Sequence, residues 1–244
     1  MIIIPLNEGI FAVSKQKVFA PVASEDLDQV PTDSLKLAIC PFLVVLEDDV
    51  LLLDTGLGFM DNGVPALFPL LEKAGYHPGQ ITKVLISHLH KDHIDGIGYR
   101  ETTGFVQHYP NAQIYIQQQE LQYALEQENS HSFNPEVLKE LAALPNVVFL
   151  EDEKGTIGTT ISYEVTGGHS PFHQVFWIRE AGTTAFYGAD NLPQKNYLKF
   201  HLAYKTDFDG KKAMELRQLW EEEAHKEQWE VLFYHDIRDN VVRF

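Results

Sequence analysis

The chain has 244 residues, with 19 Lys and Arg against 35 Asp and Glu, so its formal net charge is −16 with histidine neutral. That charge excludes nucleic acid as the main partner, because a polyanion would meet a repulsive field. Hydrophobic residues at 44 % and charged residues at 22 % exclude the disordered and fibrous classes and supply enough apolar surface for a sizeable core.

Met1-Ile-Ile-Ile-Pro5 has an apolar run of only three residues and no basic segment ahead of it. It fits neither a secretory signal nor a spanning helix, so the expectation is a cytoplasmic protein with no membrane partner. Cys40 is the single cysteine; it excludes an internal disulfide and any Cys-rich zinc site, and its apolar surroundings make it a small buried hydrophobe. Leu37 to Cys40, Phe42 to Leu46 and Val50 to Leu53 read as strands. The last two form a hairpin about the acidic turn Glu47-Asp-Asp49 and are buried on both faces. Leu67, Leu70, Leu71 and Ala74 recur at helical spacing, which predicts a helix over Val64 to Ala74 closed by Gly75. Val84 to Ile86 and Ala112 to Ile116 are strands, the second followed by a polar helix over Gln119 to Glu126. Glu128 to Phe133 is a loop, and Asn134 caps a helix over Pro135 to Ala143. Strands follow at Val147 to Leu150, Thr160 to Val165, Gln174 to Ile178 and Thr184 to Tyr187, the last pair joined across Arg179-Glu-Ala-Gly182. Asp209 caps a helix running to about Glu227, and Glu230 to Phe233 is the final strand. No repeat, linker or low-complexity tract divides the chain. The pattern predicts a mixed α/β (α+β) sandwich in one domain over residues 1–244.

His88-Leu-His90-Lys-Asp92-His93 carries the chemistry. Four donors within six residues follow a predicted strand directly, on a turn where their side chains can converge. Three imidazoles and a carboxylate form a set that divalent transition metals favour, and neither packing nor solvation accounts for such density. His169 in Thr166-Gly-Gly-His, Asp190 in Gly188-Ala-Asp, His235 and Asp54 each follow another predicted strand, which places all of them at one sheet edge. Glycines beside His169 and Asp190 let the backbone approach a crowded centre.

This order of segments resembles the metallo-β-lactamase superfamily: His-x-His-x-Asp-His, then Gly-His, then a strand-end Asp, then a late His, with Asp54-Thr-Gly56 upstream. The resemblance implies an αββα sandwich and a metal-dependent hydrolase holding two divalent ions per chain, zinc first, with manganese, iron and cobalt as alternatives. His88, His90 and His169 would hold one ion, Asp92, His93 and His235 the other, with Asp190 bridging. Asp54 would support the ligand loop, and His173 would donate to it or pack beside it. A bridging hydroxide would attack a carbonyl or phosphoryl centre, with Asp92 orienting it or accepting its proton.

Gly168-His-Ser-Pro-Phe-His-Gln174, Gly75-Tyr-x-Pro78 and Phe233-Tyr-His-Asp236 are similar to segments of the N-acyl-homoserine-lactone lactonase branch. Two departures stand out. Phe172 replaces a small residue beside the site and would narrow it or wall it with an aromatic ring. The branch has a proton-donating tyrosine three residues after the bridging Asp; Pro193 stands there in this chain, and Tyr197 is the nearest downstream phenol. The expected substrate is a small, neutral, partly apolar lactone or ester. Phosphotriesterase, arylesterase and glyoxalase II-like thioesterase are the enzymatic alternatives, and a catalytically silent metal-binding regulator is the non-enzymatic one. Self-association into a homo-oligomer is left open. His77, His108, His131, His201 and His225 belong to no motif and are assigned to the surface or the structural interior.

Overall fold

A computed structural model describes residues 1–200 and 202–244. In chain order the first half contains β1 (Ile2–Pro5), β2 (Gly9–Val13), β3 (Phe19–Val22), β4 (Leu35–Ile39), β5 (Phe42–Val45), β6 (Val50–Leu53), β7 (Met60–Asp61), β8 (Val64–Pro65), α1 (Leu67–Lys73), β9 (Lys83–Leu85), α2 (Lys91–Ile94), β10 (Gly98–Glu101), β11 (Gly104–Gln107), β12 (Gln113–Gln117), α3 (Gln118–Leu125), α4 (Pro135–Ala143) and β13 (Val147–Leu150). The second half adds β14 (Lys154–Ile157), β15 (Ile161–Val165), β16 (Gln174–Glu180), β17 (Thr183–Tyr187), α5 (Asn196–Phe200), α6 (Gly210–Glu227), β18 (Glu230–Leu232) and β19 (Val241–Arg243).

Two six-stranded sheets form the frame, in the orders β1-β5-β6-β9-β12-β13 and β14-β15-β16-β17-β18-β19. Alternation along each strand explains why they stack. Phe42, Val44, Leu51 and Leu53 point to the second sheet and meet Phe176, Ile178, Ala185 and Tyr187 there. Leu43 and Leu52 point the opposite way, onto Leu67 and Leu71 of α1 and Val137, Leu138 and Leu141 of α4. On the far side of the second sheet, Phe186, Val231 and Phe233 pack against Trp220 and Ala224 of α6. Strands apolar on both faces therefore become the middle layers of an αββα sandwich.

Asn134 caps α4 through its side chain, which accepts from the N–H groups of Glu136 and Val137, and Asp209 caps α6 by accepting from Lys212 N–H. Both helices span the predicted residues. The turn between β16 and β17 uses positive φ at Ala181 (49°) and Gly182 (78°), the twist that a two-residue hairpin needs.

Three expectations are corrected. Helix α1 begins at Leu67, because Pro65 forces Val64 into an extended ribbon with Met60 and Asp61. Glu230 to Leu232 is not the last strand, since Val241–Arg243 returns to pair with it, Val231 opposite Val242. The start of the chain, read only as too short a signal, is an edge strand paired to β5, and the strand expected over Leu37 to Cys40 is β4, which joins β2 and β3, neither of them announced by a pattern, in a three-stranded sheet β3-β2-β4. No helix of the described residues is long and apolar enough to cross a membrane. Cys40 is fully buried.

Candidate metal centre

Strands β9, β15, β17 and β18 end at one edge of the sandwich, and the chain leaving each delivers a donor. His88 and His90 lie between β9 and α2, and Asp92 and His93 stand in the first turn of α2. His169 lies beyond β15, Asp190 beyond β17 and His235 beyond β18. Donor atoms of His88, His90, His169 and Asp190 lie within 4.8 Å of one another, and so do those of Asp92, His93 and His235. Asp190 faces both groups. Its Oδ2 is 3.2 Å from His169 Nε2 and 4.0 Å from His88 Nε2, while its Oδ1 is 3.2 Å from His93 Nε2 and 3.0 Å from His235 Nε2. Asp92 Oδ2 lies 3.5 Å from His235 Nε2 and 3.9 Å from His93 Nε2.

Hydrogen bonds around the rim fix which nitrogen faces inward. His93 Nδ1–H donates to Asp54 Oδ2 (2.7 Å), His235 Nδ1–H to the Ala38 carbonyl (2.7 Å) and His169 Nδ1–H to Asp207 Oδ1 (2.8 Å). His88 Nδ1–H meets Ser87 Oγ (3.1 Å), whose own hydroxyl donates to Asp54. Each of these imidazoles thus presents an Nε2 lone pair to the centre. His90 is reversed, its Nδ1 standing 3.0 Å from His169 Nε2. The Nε2 atoms of His88 and His93 and Oδ1 of Asp190 are buried without a hydrogen-bond partner among the described residues. Buried lone pairs converging with no donor between them are costly unless a cation fills the gap. The residues fit a metal.

The electrostatics agree. Burial pushes His88 and His90 well below the ordinary imidazole range, as do neighbouring imidazoles, so neither carries a proton that would compete with a metal. Burial also opposes charge on His93, but the carboxylates of Asp190, Asp54 and Asp92 outweigh it and raise its pKa, so the carboxylates hold on His93 a proton that a cation would displace. Asp190 is held well below the usual carboxylate range: burial works against its ionisation, and His235, His93 and His169 overcome it.

Asp54, fully buried, follows β6 in a left-handed conformation (φ 54°) that aspartate tolerates. Its carboxylate accepts from Ser87 N–H (2.8 Å), Ser87 Oγ (2.7 Å), His93 Nδ1 and Tyr187 OH (2.5 Å). His173 is buried with its ring centroid 5.0 Å from that of His88, and its Nδ1 faces the Asn191 amide (3.2 Å). It packs beside a candidate ligand and donates to none.

Three supports went unread in the sequence. Asn191 accepts from His169 N–H through Oδ1 (2.8 Å) and donates to the Gly167 carbonyl (2.6 Å); a Cβ on Gly168 would stand 2.5 Å from Asn191 Oδ1. Glu120, buried at the start of α3, accepts from Ser170 Oγ (2.7 Å) and Phe172 N–H (3.1 Å), and its carboxylate also accepts from Leu89 N–H, so it ties the two ligand loops together. Tyr234 donates to the Asp92 carbonyl (2.6 Å) and stacks on His93 at 4.2 Å. An isolated Glu or Asn gives no periodic or motif signal, which is why these were missed.

A cavity of about 140 Å³ opens over Asp92, Asp190 and His235. Its apolar wall comes from Val13, Phe19, Leu35 and Leu37 of the three-stranded sheet. Phe172 is half-buried and not among the lining residues; its N–H turns toward Glu120, so the expected aromatic wall comes from Phe19 and two tyrosines instead. Tyr197 does line the cavity. Its ring stacks on Tyr204 (5.2 Å, 3° between planes), and the Arg217 guanidinium lies 4.9 Å from its centroid. Burial first, then the hydrogen bond to Tyr204, pushes the Tyr197 phenol above its ordinary range. His77, His131 and His225 stay outside the centre, and buried His108 binds the Gly96 carbonyl with Nδ1 (2.9 Å). His201 lies outside the described residues.

Among known proteins, residues 41–227 match the Metallo-beta-lactamase superfamily. An N-acyl homoserine lactonase of Bacillus thuringiensis is 26 % identical over 231 residues, covering 85 % of this chain and 84 % of the relative. One from Bacillus cereus is 27 % identical over the same shares. A probable metal-dependent hydrolase from Staphylococcus aureus superposes with TM-score 0.78 at 18 % identity, over 99 % of this chain and 91 % of the other. AidC, a dizinc quorum-quenching lactonase solved with the product N-hexanoyl-homoserine, superposes with TM-score 0.75 at 23 % identity, over 98 % and 88 %.

Proposed function

Because the chain belongs to the metallo-β-lactamase superfamily, we propose that it is a dinuclear metal-dependent hydrolase acting on a lactone or ester carbonyl of a small molecule. One observation carries the reading: the two oxygens of Asp190 face two different histidine pairs, His88 and His169 on one side and His93 and His235 on the other. His88, His90 and His169 would hold one divalent ion, Asp92, His93 and His235 the second, and Asp190 both. The lactonase relatives support the substrate class. Nitrogen and carboxylate donors without sulfur suit zinc, and manganese, iron and cobalt accept the same set.

When bound, such ions supply Lewis acidity that polarises a carbonyl oxygen and acidifies water. The chain supplies the rest. Asp92, its carboxylate facing the cavity between His93 and His235, accepts the proton of the attacking water and orients it. Tyr197 keeps its proton in the cavity because burial and Tyr204 disfavour the phenolate, so it can donate to a departing alkoxide. Stacking between Tyr204 and Arg217 holds its ring against free rotation. The apolar wall from Phe19 and Leu37 excludes water from the acyl side.

Elemental analysis of the supplemented protein, combined with a panel of acyl-homoserine lactones, aryl esters, phosphotriesters and S-lactoylglutathione, tests the proposal. Two ions per chain and metal-dependent turnover of a lactone or ester are expected. One ion or none would overturn the dinuclear assignment, faster phosphotriester or thioester turnover would overturn the substrate class, and two ions without turnover of any substrate would turn the reading to a silent metal-binding protein.

A further inference from the structure

Lysines stand at the mouth of the candidate site, although the chain carries a net charge of −16. Lys17 lines the cavity over Asp190 and also the adjoining cavity of about 340 Å³ that passes His90 and His169 to Tyr123 and Phe208. It occupies the turn between β2 and β3 at φ 55°, a left-handed conformation uncommon for a residue with a Cβ. Ser14 fixes that turn, its carbonyl accepting from Lys17 N–H (2.9 Å) and its hydroxyl from Val18 N–H (3.3 Å). Lys36, exposed, stands at the rim of the first cavity on β4, between Leu35 and Leu37 of the apolar wall. Lys91 lines neither cavity, but its ammonium lies 5.7 Å from the Phe19 ring of the apolar wall.

The carboxylates of the cavity are already engaged. Asp92 and Asp190 face the histidines, and Asp207 accepts from His169. Among the described residues neither Lys17 nor Lys36 makes an ion pair. Two divalent ions on the seven donors would bring four positive charges, and with Lys17 and Lys36 these outnumber the carboxylates that line the cavity, Asp92, Asp190 and Asp207. The acidic surface acts at a distance and is screened within about 8 to 10 Å at ordinary salt, whereas charges inside a cavity act across lower dielectric. Close range therefore decides.

Resting on the hydrolase reading above, we infer that the substrate is an ester or lactone bearing an anionic group, a carboxylate or a phosphate, a few bonds from the carbonyl attacked, and that Lys17 with Lys36 binds that group. This replaces the neutral substrate expected from net charge and from Phe172. Lys17, shared by both cavities, meets such a group whichever of the two holds the longer substituent.

Three esters with one leaving group provide the test: para-nitrophenyl butyrate, mono-para-nitrophenyl glutarate and the phosphonate analogue of the glutarate. On the zinc-loaded protein the anionic esters should exceed butyrate in kcat/KM by about tenfold, equivalent to about 1.4 kcal/mol, with the gain in KM, and the better of the two tells carboxylate from phosphate. The ratio should shrink as salt rises, collapse towards one in the Lys17→Ala/Lys36→Ala double variant, and invert in Lys17→Glu. Calorimetry supplies a second readout: glutarate should bind the loaded protein more tightly than butyrate, and the difference should vanish in the double variant. Turnover that is equal or faster with the neutral ester, with no change in ratio in the variants, would overturn the inference while leaving the hydrolase reading standing. If no ester is turned over, ester hydrolysis fails, and calorimetry alone decides for or against the anion site.

Discussion

Asp54→Asn exchanges one oxygen of the buried carboxylate for an amide, and the surrounding hydrogen bonds set its cost. The least costly rotamer leaves the amide oxygen where Oδ2 stood, still accepting from His93 Nδ1, Ser87 Oγ and Tyr187 OH. The amide nitrogen then faces Ser87 N–H, which loses its acceptor. Orphaning that donor costs about 1 to 3 kcal/mol, and the remaining bonds each lose part of the about 1.5 to 3 kcal/mol typical of a charged acceptor. A total of about 3 to 5 kcal/mol is expected in urea unfolding of the protein kept in chelator. In the opposite rotamer Ser87 would turn its hydroxyl to His88 Nδ1, moving a proton onto the His88 nitrogen that faces the centre. Either way His93 loses the carboxylate behind it, and metal affinity should fall about 10- to 100-fold in competition with a chromophoric chelator, the usual penalty for a partner behind a ligand. An Asp54→Asn protein with unchanged urea midpoint and unchanged affinity would refute the role assigned to this carboxylate.

Asp190→Ala should lower occupancy of both metal positions, while His235→Ala should empty chiefly the one shared by Asp92 and His93; elemental analysis after equal zinc supplementation separates the two patterns. Tyr197→Phe should reduce kcat for an unactivated lactone by about 10² to 10⁴ and leave metal content unchanged, and a loss below about threefold would remove Tyr197 as proton donor. Glu8, pushed up to about 7 by burial despite accepting from Leu57 N–H, binds a proton in the folded protein between about pH 4.5 and 7 where the unfolded chain does not. Stability should therefore fall as pH rises through that window. Glu8→Gln should lessen the fall, gaining about 1 to 3 kcal/mol at pH 8 and nearly nothing at pH 4, as read by urea midpoints in chelator; the remainder comes from other buried carboxyls, chiefly Asp95, which burial also pushes up to about 7.

The centre was legible because its chemistry is dense in sequence: His88, His90, Asp92 and His93 have no bland explanation together, and His169, Asp190 and His235 each sit just beyond a strand that its own apolar run reveals. Helices α4 and α6 were legible through Asn134 and Asp209, whose caps act within three residues. What escaped is what depends on distant contacts. Strand β19 has three residues and is a strand only because β18 lies beside it. The sheet β3-β2-β4 contributes Phe19, Leu35 and Lys17 to the cavity, and nothing local in Gly9 to Ile39 marks those side chains as facing a site. Glu120 looks in sequence like any acidic residue in the first turn of a helix. Phe172 misleads because a residue three positions from His169 in sequence can still turn away from the cavity that His169 lines.

The seven donors come from both halves of the chain, four between His88 and His93 and three from His169 to His235. Neither half alone can assemble the pair of positions, so ions cannot gain their full binding energy until the two sheets have docked. Metal should then act late on the folding path. Adding zinc should leave the refolding rate nearly unchanged and slow unfolding by most of the stabilisation it confers, the behaviour of an interaction absent from the transition state. Persistence of the protein against heat or protease would accordingly be set by how rarely the two halves part at this edge, and a chelator would shorten its lifetime long before it shifted its refolding.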